Sequence, residues 1–478
     1  MAAADKQITY YDFWGKSDTA DWHPLVYHLL DVAAVGQVFL QQNGLFRAKM
    51  AGLLHLSEYD LTRFICFFLA LHDLGKFSSA FQGLRADIHS VLQPQATPLP
   101  YSMRHDSLGF LLFKERCLKA FPRLSGLFVE KALFSRAILD SEIPSILMSI
   151  TTGHHGTPPR TSKGLPTHIR TFFADDDIAA AMTFITDCHR LFISQEPLLT
   201  TDRTETALKT HSFTLAGFAV LCDWLGSHRA YFSYGSESNY QSKRLQLQEY
   251  WPLALECARK AVQASGLLPS RFREHLGSQQ RFPDFELTPL QQYAENISIP
   301  QGAQLWILED VTGAGKTEAA FILTGRIANQ CQVDGCFIGL PTMATANGMY
   351  RRTHAIYRKL YTAESQPSLI LAHSNAQLDS GFRSTIVTET HPETGAYETG
   401  KNPDMTAGAL CSAWLADSSK KSLLAQIGVG TIDQALLGVL LAKFQSLRLF
   451  GLSNKVLVLD EIHAYDEYMN ELICCLLT

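Results

Sequence analysis

The sequence predicts a multidomain protein in which an all-α region precedes an α/β region with a parallel sheet. Between about residues 20 and 230, apolar residues recur at the three-and-four spacing of amphipathic helices, as in 25–41 and 59–77. From about residue 300 onward, short apolar runs end in turn residues and are followed by helical segments. Strands that alternate with helices predict a parallel sheet.

The composition is that of a folded globular protein with room for several domains. Of 478 residues, 46% are hydrophobic and 18% are charged. The net charge of −5 does not point to nucleic acid, although a local basic groove would be enough to bind it. The ten cysteines include no CxxC pair, which favours reduced thiols. Because the longest apolar run, FICFFLAL, is far shorter than a membrane span, we expect a cytoplasmic protein without a membrane partner.

Changes in composition predict three regions. Residues 1–235 form the helical domain, and residues 286–478 form the α/β lobe. The segment between them, 236–285, is polar, charged and prone to form helix, so it is interpreted as a connector.

The helical region contains a candidate metal site. LALHDLGKFSSAFQ (69–82) places His72 beside Asp73 at the end of a predicted buried helix. Neighbouring residues on a helix point about 100° apart, so this pair can bind two ions, or one ion with the carboxylate bridging to a second. Two adjacent buried imidazoles cost free energy unless something satisfies them. The other candidate ligands are His28, His105, His154, His155 and Asp223.

The residue types predict which ions bind. Imidazoles with carboxylates suit Fe, Mn, Co or Ni better than Mg, which prefers oxygen ligands only. Two such ions about 4 Å apart would stabilise the attacking and leaving oxygens of a phosphodiester.

Three residues of this region have alternative interpretations. His105 alone is also consistent with a satisfied core histidine. Asp31, three residues after His28, is interpreted as orienting that imidazole rather than as binding metal. Lys76 either pairs with a scissile phosphate or forms a surface salt bridge.

The α/β region contains a phosphate-binding loop. VTGAGKTE (311–318) follows the predicted strand LWILE and precedes a predicted helix, the context that such a loop requires. Backbone amides of the loop would surround the phosphates at the helix N-terminus, and the glycines allow this close approach. Lys316 would reach the β- and γ-phosphates, and Thr317 would hold Mg²⁺. The nucleotide-binding residues predicted in this loop are Thr312, Gly313, Ala314, Gly315, Lys316 and Thr317.

A second motif strengthens the nucleotide interpretation. VLVLDEIH (456–463) predicts a buried strand that delivers Asp460 and Glu461 at its C-terminal end. Asp460 would hold the Mg²⁺ through water, and Glu461 would activate the attacking water. The alternative is a charge cluster at a strand end. Upstream, LTPLQ (287–291) resembles an adenine-reading element in which Gln291 contacts the base.

Three further segments are candidates for contact with single-stranded nucleic acid. LPTMATANGM (340–349) and GVGTIDQ (428–434) end predicted strands in loops where a strand could lie along amides and hydroxyls. The basic segment RRTHAIYRKLY (351–361) is either a surface that follows phosphates or an ordinary solvated helix face.

These motifs together resemble a known family. GKT, DEIH, LPTMATANGM and GTIDQ resemble superfamily 2 helicase motifs of a first RecA-like lobe. An HD-type metal-dependent nuclease domain fused to such a lobe is similar to the helicase–nuclease of type I CRISPR interference systems. YHLLDVAAV, ALHDLGKF, GHHG and CDWLGS resemble its I-E subgroup most. The resemblance covers nearly all of residues 20–470.

The resemblance implies a function. An RNA-guided surveillance complex recruits such a protein after R-loop formation. The HD site then nicks the displaced single-stranded DNA and shortens it 3′ to 5′ while ATP drives translocation. Carried over by position, the resemblance implies metal ligands at His28, His72, Asp73, His105, His154, His155 and Asp223.

The sequence also departs from the family. Asp310 and Val311 stand where the family has a small residue and proline, and CCLLT (474–478) follows DEIH by one helix. We therefore expect a longer protein or another chain to supply the second lobe, with an inhibitor as a further possible partner. Alone, the chain is expected to bind ATP weakly but to cleave single-stranded DNA with transition metal.

Three other functions remain open. They are an HD phosphohydrolase acting on small nucleotides with a regulatory P-loop domain, a non-catalytic docking fragment, and an RNA helicase with an unrelated N-terminal domain.

Overall fold

The computed structural model describes residues 7–18, 21–118, 142–159, 168–193, 202–234, 244–273, 286–387 and 411–477. The chain divides into two units, residues 1–262 and 263–478. This division falls inside the predicted connector 236–285, whose bounds stay a prediction. The predicted order, a helical region followed by an α/β region with a parallel sheet, is confirmed.

The first unit is mostly helical. A short antiparallel pair, β1 (Trp14–Ser17) and β2 (Trp22–Pro24), precedes the helices. The α-helices are α1 (Leu25–Gln42), α2 (Gly44–Leu53), α3 (Glu58–Leu69), α4 (Ser79–Gln82), α5 (Ala86–Leu92), α6 (His105–Leu112), α7 (Ile143–Thr152), α8 (Asp175–Phe192), α9 (Asp202–Thr210), α10 (Ser212–Gly226) and α11 (Leu247–Ala264). Tighter or wider helical turns lie at Leu74–Phe77, Gly83–Arg85, Phe113–Cys117, Gly153–His155 and Ile169–Thr171.

The core of this unit forms around α1. Its residues 25–36 are all buried, and the helix packs against α3 and α10. An α-helix that is apolar on every side is stable only when other elements surround it. By length and composition, no single helix of the described segments could cross a membrane, although the bent pair Glu58–Phe77 and Ser79–Leu92 passes the same test when taken together.

Helix α3 is shorter than predicted. Ser57 caps its start, because the Ser57 hydroxyl accepts a hydrogen bond from the Asp60 amide at 2.9 Å. The helix ends at Leu69, so the predicted helix 59–77 is wrong beyond that residue. His72 and Asp73 lie in the turn that follows, where the chain changes direction.

The second unit contains the predicted parallel sheet. Its α-helices are α12 (Pro289–Asn296), α13 (Lys316–Cys331), α14 (Met343–Ile356), α15 (Ser380–Arg383), α16 (Ala413–Ala416), α17 (Asp433–Leu436), α18 (Gln445–Leu452) and α19 (Glu467–Leu477). Its strands are β3 (Gly335–Leu340), β4 (Leu369–Ala372), β5 (Ile386–Val387), β6 (Cys411–Ser412), β7 (Ile427–Thr431) and β8 (Lys455–Leu459). Further turns lie at Tyr357–Leu360, Ala376–Leu378, Ser419–Leu424 and Ile462–Ala464.

Among the described residues, the main sheet has the strand order β4-β7-β3-β8, and every pair is parallel. Strands β3, β4 and β7 are fully buried, as expected when both faces of a parallel sheet are covered. Strand β8 lies at the edge and is only half-buried. The prediction that 456–459 is a buried strand is therefore wrong, since an edge strand leaves one side uncovered.

The predicted strand LWILE is also wrong. Residues 304–311 form no strand, and Leu305 and Ile307 are 71% and 82% exposed. Apolar residues favour a strand only where a neighbouring strand completes the hydrogen-bond ladder. Among the described residues, no strand pairs with this segment.

A close crossing of two backbones sets the position of Asp73. The turn Leu74–Phe77 packs against α6, with Gly75 facing Gly109. A Cβ atom on Gly75 would lie 1.9 Å from the carbonyl oxygen of His105. Because glycine has no Cβ, the two segments can approach closely enough to bring Asp73 and His105 together.

We expect Gly75→Ala to lower the free energy of unfolding by about 1–3 kcal/mol or more, because the added methyl group meets backbone rather than a movable side chain. Urea denaturation measures the change. Gly52→Ala is the matched control, since nothing lies within 4 Å of a Cβ there. Equal free energies of unfolding for the two variants would show that the backbone crossing at Gly75 does have room for a Cβ atom.

Candidate functional site

The predicted metal ligands come from separate elements of the first unit. One lies on α1, two in the turn after α3, one at the start of α6, two in the turn after α7, and one near the end of α10. The structure brings them together as a group that we call the histidine–aspartate cluster: His28, His72, Asp73, His105, His154, His155 and Asp223. His105 and His155 are partly exposed, and the other members are buried.

Asp73 lies at the centre of the cluster. Its Oδ2 is 3.4 Å from Nε2 of His28 and 3.3 Å from Nε2 of His72. Its Oδ1 is 3.3 Å from Nε2 of both His105 and His154. The two carboxylate oxygens therefore face two different pairs of imidazoles.

A further side chain lies beside each of these two pairs of imidazoles, His28–His72 and His105–His154. Asp223 Oδ1 lies 3.7 Å from Nε2 of His28 and 3.6 Å from Nε2 of His72. On the other side, Nε2 of His155 lies 2.7 Å from Nε2 of His105. The cluster thus consists of two groups of potential ligands that share Asp73.

Hydrogen bonds fix the orientation of three imidazoles. Nδ1 of His72 lies 2.8 Å from the Leu69 carbonyl, and Nδ1 of His154 lies 3.1 Å from the Thr151 carbonyl. Tyr101 places its hydroxyl 3.2 Å from Nδ1 of His105. An Nδ1–H that donates to a carbonyl leaves the Nε2 lone pair free to bind a metal ion.

The residues present fit a divalent metal centre. Within the described part of the chain, the buried Nε2 atoms of His28 and His72 have no hydrogen-bond partner. Leaving such atoms unsatisfied costs about 1–3 kcal/mol each. The donor set of imidazoles and carboxylates is the one that transition ions prefer.

Electrostatics prepares several of these groups for metal binding. Burial lowers the pKa of His28 and His105 well below the usual value, and it lowers the pKa of His155 to about 3. These three imidazoles are therefore neutral at pH 7. Burial acts to raise the pKa of Asp73, but the cations Lys76 and His72 outweigh it and hold that pKa well below its usual range.

His72 differs from the other imidazoles. Burial lowers its pKa, but the adjacent carboxylates of Asp73 and Asp223 outweigh burial and raise it to about 9. The two carboxylates thus favour positive charge at this point. A divalent cation between the same groups would satisfy that need in place of the proton.

Lys76 belongs to the interior and not to the surface. Its side chain is 4% exposed, and its Nζ lies 2.6 Å from Asp73 Oδ2. The Nζ also donates to the Gly15 carbonyl at 2.9 Å. The alternative of a surface salt bridge is therefore wrong, since the ion pair is buried beside the cluster.

Asp31 does not orient His28. Its Oδ2 lies 2.7 Å from Nε2 of His23, and its Oδ1 accepts a hydrogen bond from the Tyr250 hydroxyl at 2.8 Å. Although Asp31 and His28 are one helical turn apart, the carboxylate points toward β2 and α11. The prediction from helical spacing is wrong because tertiary contacts supply stronger partners.

The segment predicted to bind phosphate is a turn that leads into α13. Gly313 and Gly315 have positive φ angles of 85° and 79°, and α13 begins at Lys316. The Lys316 ammonium donates to the carbonyls of Asp310 and Val311 at 2.8 and 3.0 Å. These exposed contacts hold Lys316 against its own loop.

Gln291 lies next to this loop. Its amide nitrogen donates to the Gly315 carbonyl at 3.2 Å, and its amide oxygen accepts from the Thr288 backbone at 3.1 Å. Thr288 itself donates to the Ala314 carbonyl at 2.9 Å. The LTPLQ segment therefore supports the loop, and base contact by Gln291 stays a prediction.

The DEIH motif lies at the C-terminal end of β8, as predicted. Asp460 donates its backbone N–H to the Gly339 carbonyl at 3.0 Å, and Glu461 adopts a left-handed conformation with φ 54°. Within the described residues, no hydrogen bond or ion pair joins either carboxylate to residues 311–317. Metal binding by Asp460 and activation of water by Glu461 stay predictions.

Reasoning from the sequence missed two residues next to the cluster. The Lys16 ammonium lies 3.4 Å from Asp223 Oδ1, although 207 positions separate the two residues. Tyr101, which contacts His105, lies outside any recognisable motif. Tyr101 lies in the irregular segment before α6, so helical spacing could not indicate its contact with His105.

Comparison with known proteins identifies the relatives of this chain. Residues 14–232, which include the whole cluster, match the family model "Cas3, HD domain". The chain is 32% identical to the CRISPR-associated endonuclease/helicase Cas3 of Escherichia coli (strain K12), covering 98% of this chain and 52% of that protein. It is also 32% identical to the Cas3 of Thermus thermophilus, covering 97% of this chain and 47% of that protein.

A solved structure agrees with these matches. The crystal structure of T. fusca Cas3-ATP has a TM-score of 0.70 and 25% identity, covering 98% of this chain and 48% of that chain. The chain thus spans about half the length of the curated relatives it matches. The resemblance to CRISPR-associated helicase–nucleases is confirmed.

We expect Asp31→Ala to lower the free energy of unfolding by about 3 kcal/mol, because it removes the buried carboxylate that lies 2.7 Å from His23 Nε2 and accepts a hydrogen bond from the Tyr250 hydroxyl. Metal content is expected to stay unchanged, since Asp31 does not touch His28. Denaturation and mass spectrometry of bound metal measure the two effects. Asp87→Ala, at an exposed ion pair with Arg85, is the control and should change neither quantity. Loss of metal from Asp31→Ala alone would restore the rejected interpretation.

Proposed function

We propose, from the match of residues 14–232 to the family model "Cas3, HD domain", that this chain is a metal-dependent nuclease that cleaves single-stranded DNA. We further propose that residues 286–478 form the first RecA-like lobe of an ATP-dependent helicase. One observation supports the nuclease above all: the shared carboxylate of Asp73 lies between two groups of imidazoles.

The two groups suggest how two divalent transition ions would be held. His28, His72 and Asp223 would hold one ion, and His105, His154 and His155 the other, with Asp73 between them. Such ions supply Lewis acidity and lower the pKa of water. The ion is Fe, Mn, Co or Ni, since imidazoles dominate the ligand set.

The protein's own groups contribute to catalysis by position and charge. Asp73 is the ligand that both groups share, and His72, next to it in the chain, belongs to the group with His28. Lys76 holds Asp73 ionised and fixed, through the contact of 2.6 Å. We therefore assign Lys76 to positioning Asp73, since its buried ammonium is already paired with protein atoms.

The α/β lobe would bind ATP and Mg²⁺ through residues 312–317, with Gln291 at the base and Asp460 at the metal. Glu461 would activate the attacking water. A relative solved as Cas3-ATP supports this assignment. Because Lys316 and Gln291 are bonded to the loop itself, ATP must displace these contacts, and we expect weak binding by this chain.

The biological setting follows from the relatives, which are named CRISPR-associated. We propose that an RNA-guided surveillance complex recruits the protein, and that translocation runs 3′ to 5′ along single-stranded DNA. A second chain that completes the helicase, or an inhibitor, would be a further partner. A cytoplasmic location belongs to the same proposal.

We expect Asp73→Asn to abolish cleavage of single-stranded DNA in Mn²⁺ or Co²⁺, because the shared ligand loses its charge. Metal content should fall from about two ions per chain to well below one, as measured by mass spectrometry. His28→Ala and His155→Ala each remove one ligand from one group, and should leave about one ion.

His168→Ala, at an exposed histidine outside the cluster, is the control and should change neither cleavage nor metal content. Full cleavage by Asp73→Asn would refute the nuclease assignment. Hydrolysis of small nucleotides with intact DNA would favour the phosphohydrolase, and selective cleavage of RNA would contradict the preference for DNA.

We expect Lys316→Ala to abolish the weak binding of a fluorescent ATP analogue and to leave metal-dependent DNA cleavage unchanged. The loss follows from removing the cation that would contact the β- and γ-phosphates. Lys443→Ala, at an exposed lysine of the same unit, should bind the analogue like the unmodified chain. Rapid DNA-stimulated ATP hydrolysis by the unmodified chain would contradict the expected weak use of ATP.

A further inference from the structure

Two lysines contact the carboxylates of the cluster, and they differ in how fully protein atoms engage them. Lys76 Nζ lies 2.6 Å from Asp73 and 2.9 Å from the Gly15 carbonyl, and its side chain is 4% exposed. Lys16 Nζ lies 3.4 Å from Asp223, and its side chain is 24% exposed. Charge-assisted hydrogen bonds are usually about 2.7–2.9 Å long, so the contact of Lys16 is a loose one.

The backbone beside Lys16 is held firmly. Trp14 donates its backbone N–H to the Gln82 side chain at 3.1 Å, and Gln82 donates back to the Trp14 carbonyl at 3.0 Å. Gln82 also donates to the Lys76 carbonyl at 2.7 Å. Strand β1 is thereby fixed to the turn that carries Asp73 and Lys76.

This arrangement fixes the backbone of Lys16, while the Lys16 side chain stays partly exposed. Antiparallel pairing places Lys16 opposite His23 of β2. A rigid strand that presents a partly exposed cation beside a carboxylate of the cluster can receive an anion from solvent without a large rearrangement. A buried lysine such as Lys76 cannot do so, because its ammonium would have to give up two protein partners.

Resting on the proposed nuclease function, we propose that Lys16 binds the scissile phosphate of the DNA strand. The ammonium holds a non-bridging oxygen of that phosphate while the cluster acts on the phosphodiester. This assigns to Lys16 the contact with phosphate that the sequence had suggested for Lys76. A point charge on a flexible stem suits a single phosphate oxygen.

The test compares Lys16→Gln and Lys16→Arg with the unmodified chain. We expect Lys16→Gln to lower kcat/KM for single-stranded DNA cleavage in Mn²⁺ about tenfold to a hundredfold, the range for losing one charge-assisted hydrogen bond. Lys16→Arg should recover most of the activity. Lys114→Gln, at an exposed lysine away from the cluster, should cleave normally.

Two further measurements separate phosphate binding from a structural role. Metal content and the urea midpoint of Lys16→Gln should equal those of the unmodified chain. In binding to a short single-stranded oligonucleotide, the slope of log K against log salt should become shallower by about 0.7, the value for one phosphate contact.

The outcomes distinguish the two proposals. Normal cleavage by Lys16→Gln, or loss of metal or stability in it, overturns the role of Lys16 and leaves the nuclease standing. If the unmodified, metal-loaded chain does not cleave DNA, the proposed function fails. The salt slope then still decides whether Lys16 contacts a phosphate, and an unchanged slope rejects it.

Discussion

The carboxylate of Asp73 is fully buried, and it has to remain charged there. Burying a lone carboxylate costs several kcal/mol, so the surrounding structure must supply compensating groups. Four imidazoles lie within 3.4 Å of its two oxygens, and Lys76 lies at 2.6 Å. These partners come from α1, α6, the turn after α7 and the turn after α3, so the packing of the first unit and the cluster depend on each other.

Two close contacts of the first unit place groups around Asp73: a crossing of two backbone segments and the hydrogen bonds of Gln82. The glycine crossing between the Leu74–Phe77 turn and α6 shortens the distance between Asp73 and His105. The Gln82 side chain forms hydrogen bonds with β1 and with the same turn. In this arrangement Lys76 contacts Asp73, and Lys16 contacts Asp223. The rigid scaffold thus positions both the buried Lys76 and the partly exposed Lys16.

In the second unit, by contrast, the predicted phosphate-binding loop and the DEIH motif are at least partly exposed. Lys316 bonds to its own loop, and the edge strand β8 is half-buried. Gly313 and Gly315 have positive φ angles, which let the chain turn tightly before α13. Among the described residues, no hydrogen bond or ion pair joins this loop to the carboxylates of the DEIH motif. The two motifs therefore belong to one lobe but do not form a closed site.

The full set of cluster members was implied by the family resemblance, whereas the sequence by itself determined the order of the two regions, the parallel sheet and the adjacent pairs His72–Asp73 and His154–His155. It could do so because helical spacing, strand–turn–helix order and adjacent His–Asp or His–His pairs are local patterns. Only the tertiary structure decided that Asp31 pairs with His23, that Lys76 is buried, that Lys16 meets Asp223 across 207 positions, and that LWILE stays unpaired. Each of these depends on contacts between distant segments, and such contacts leave no periodic trace in the chain.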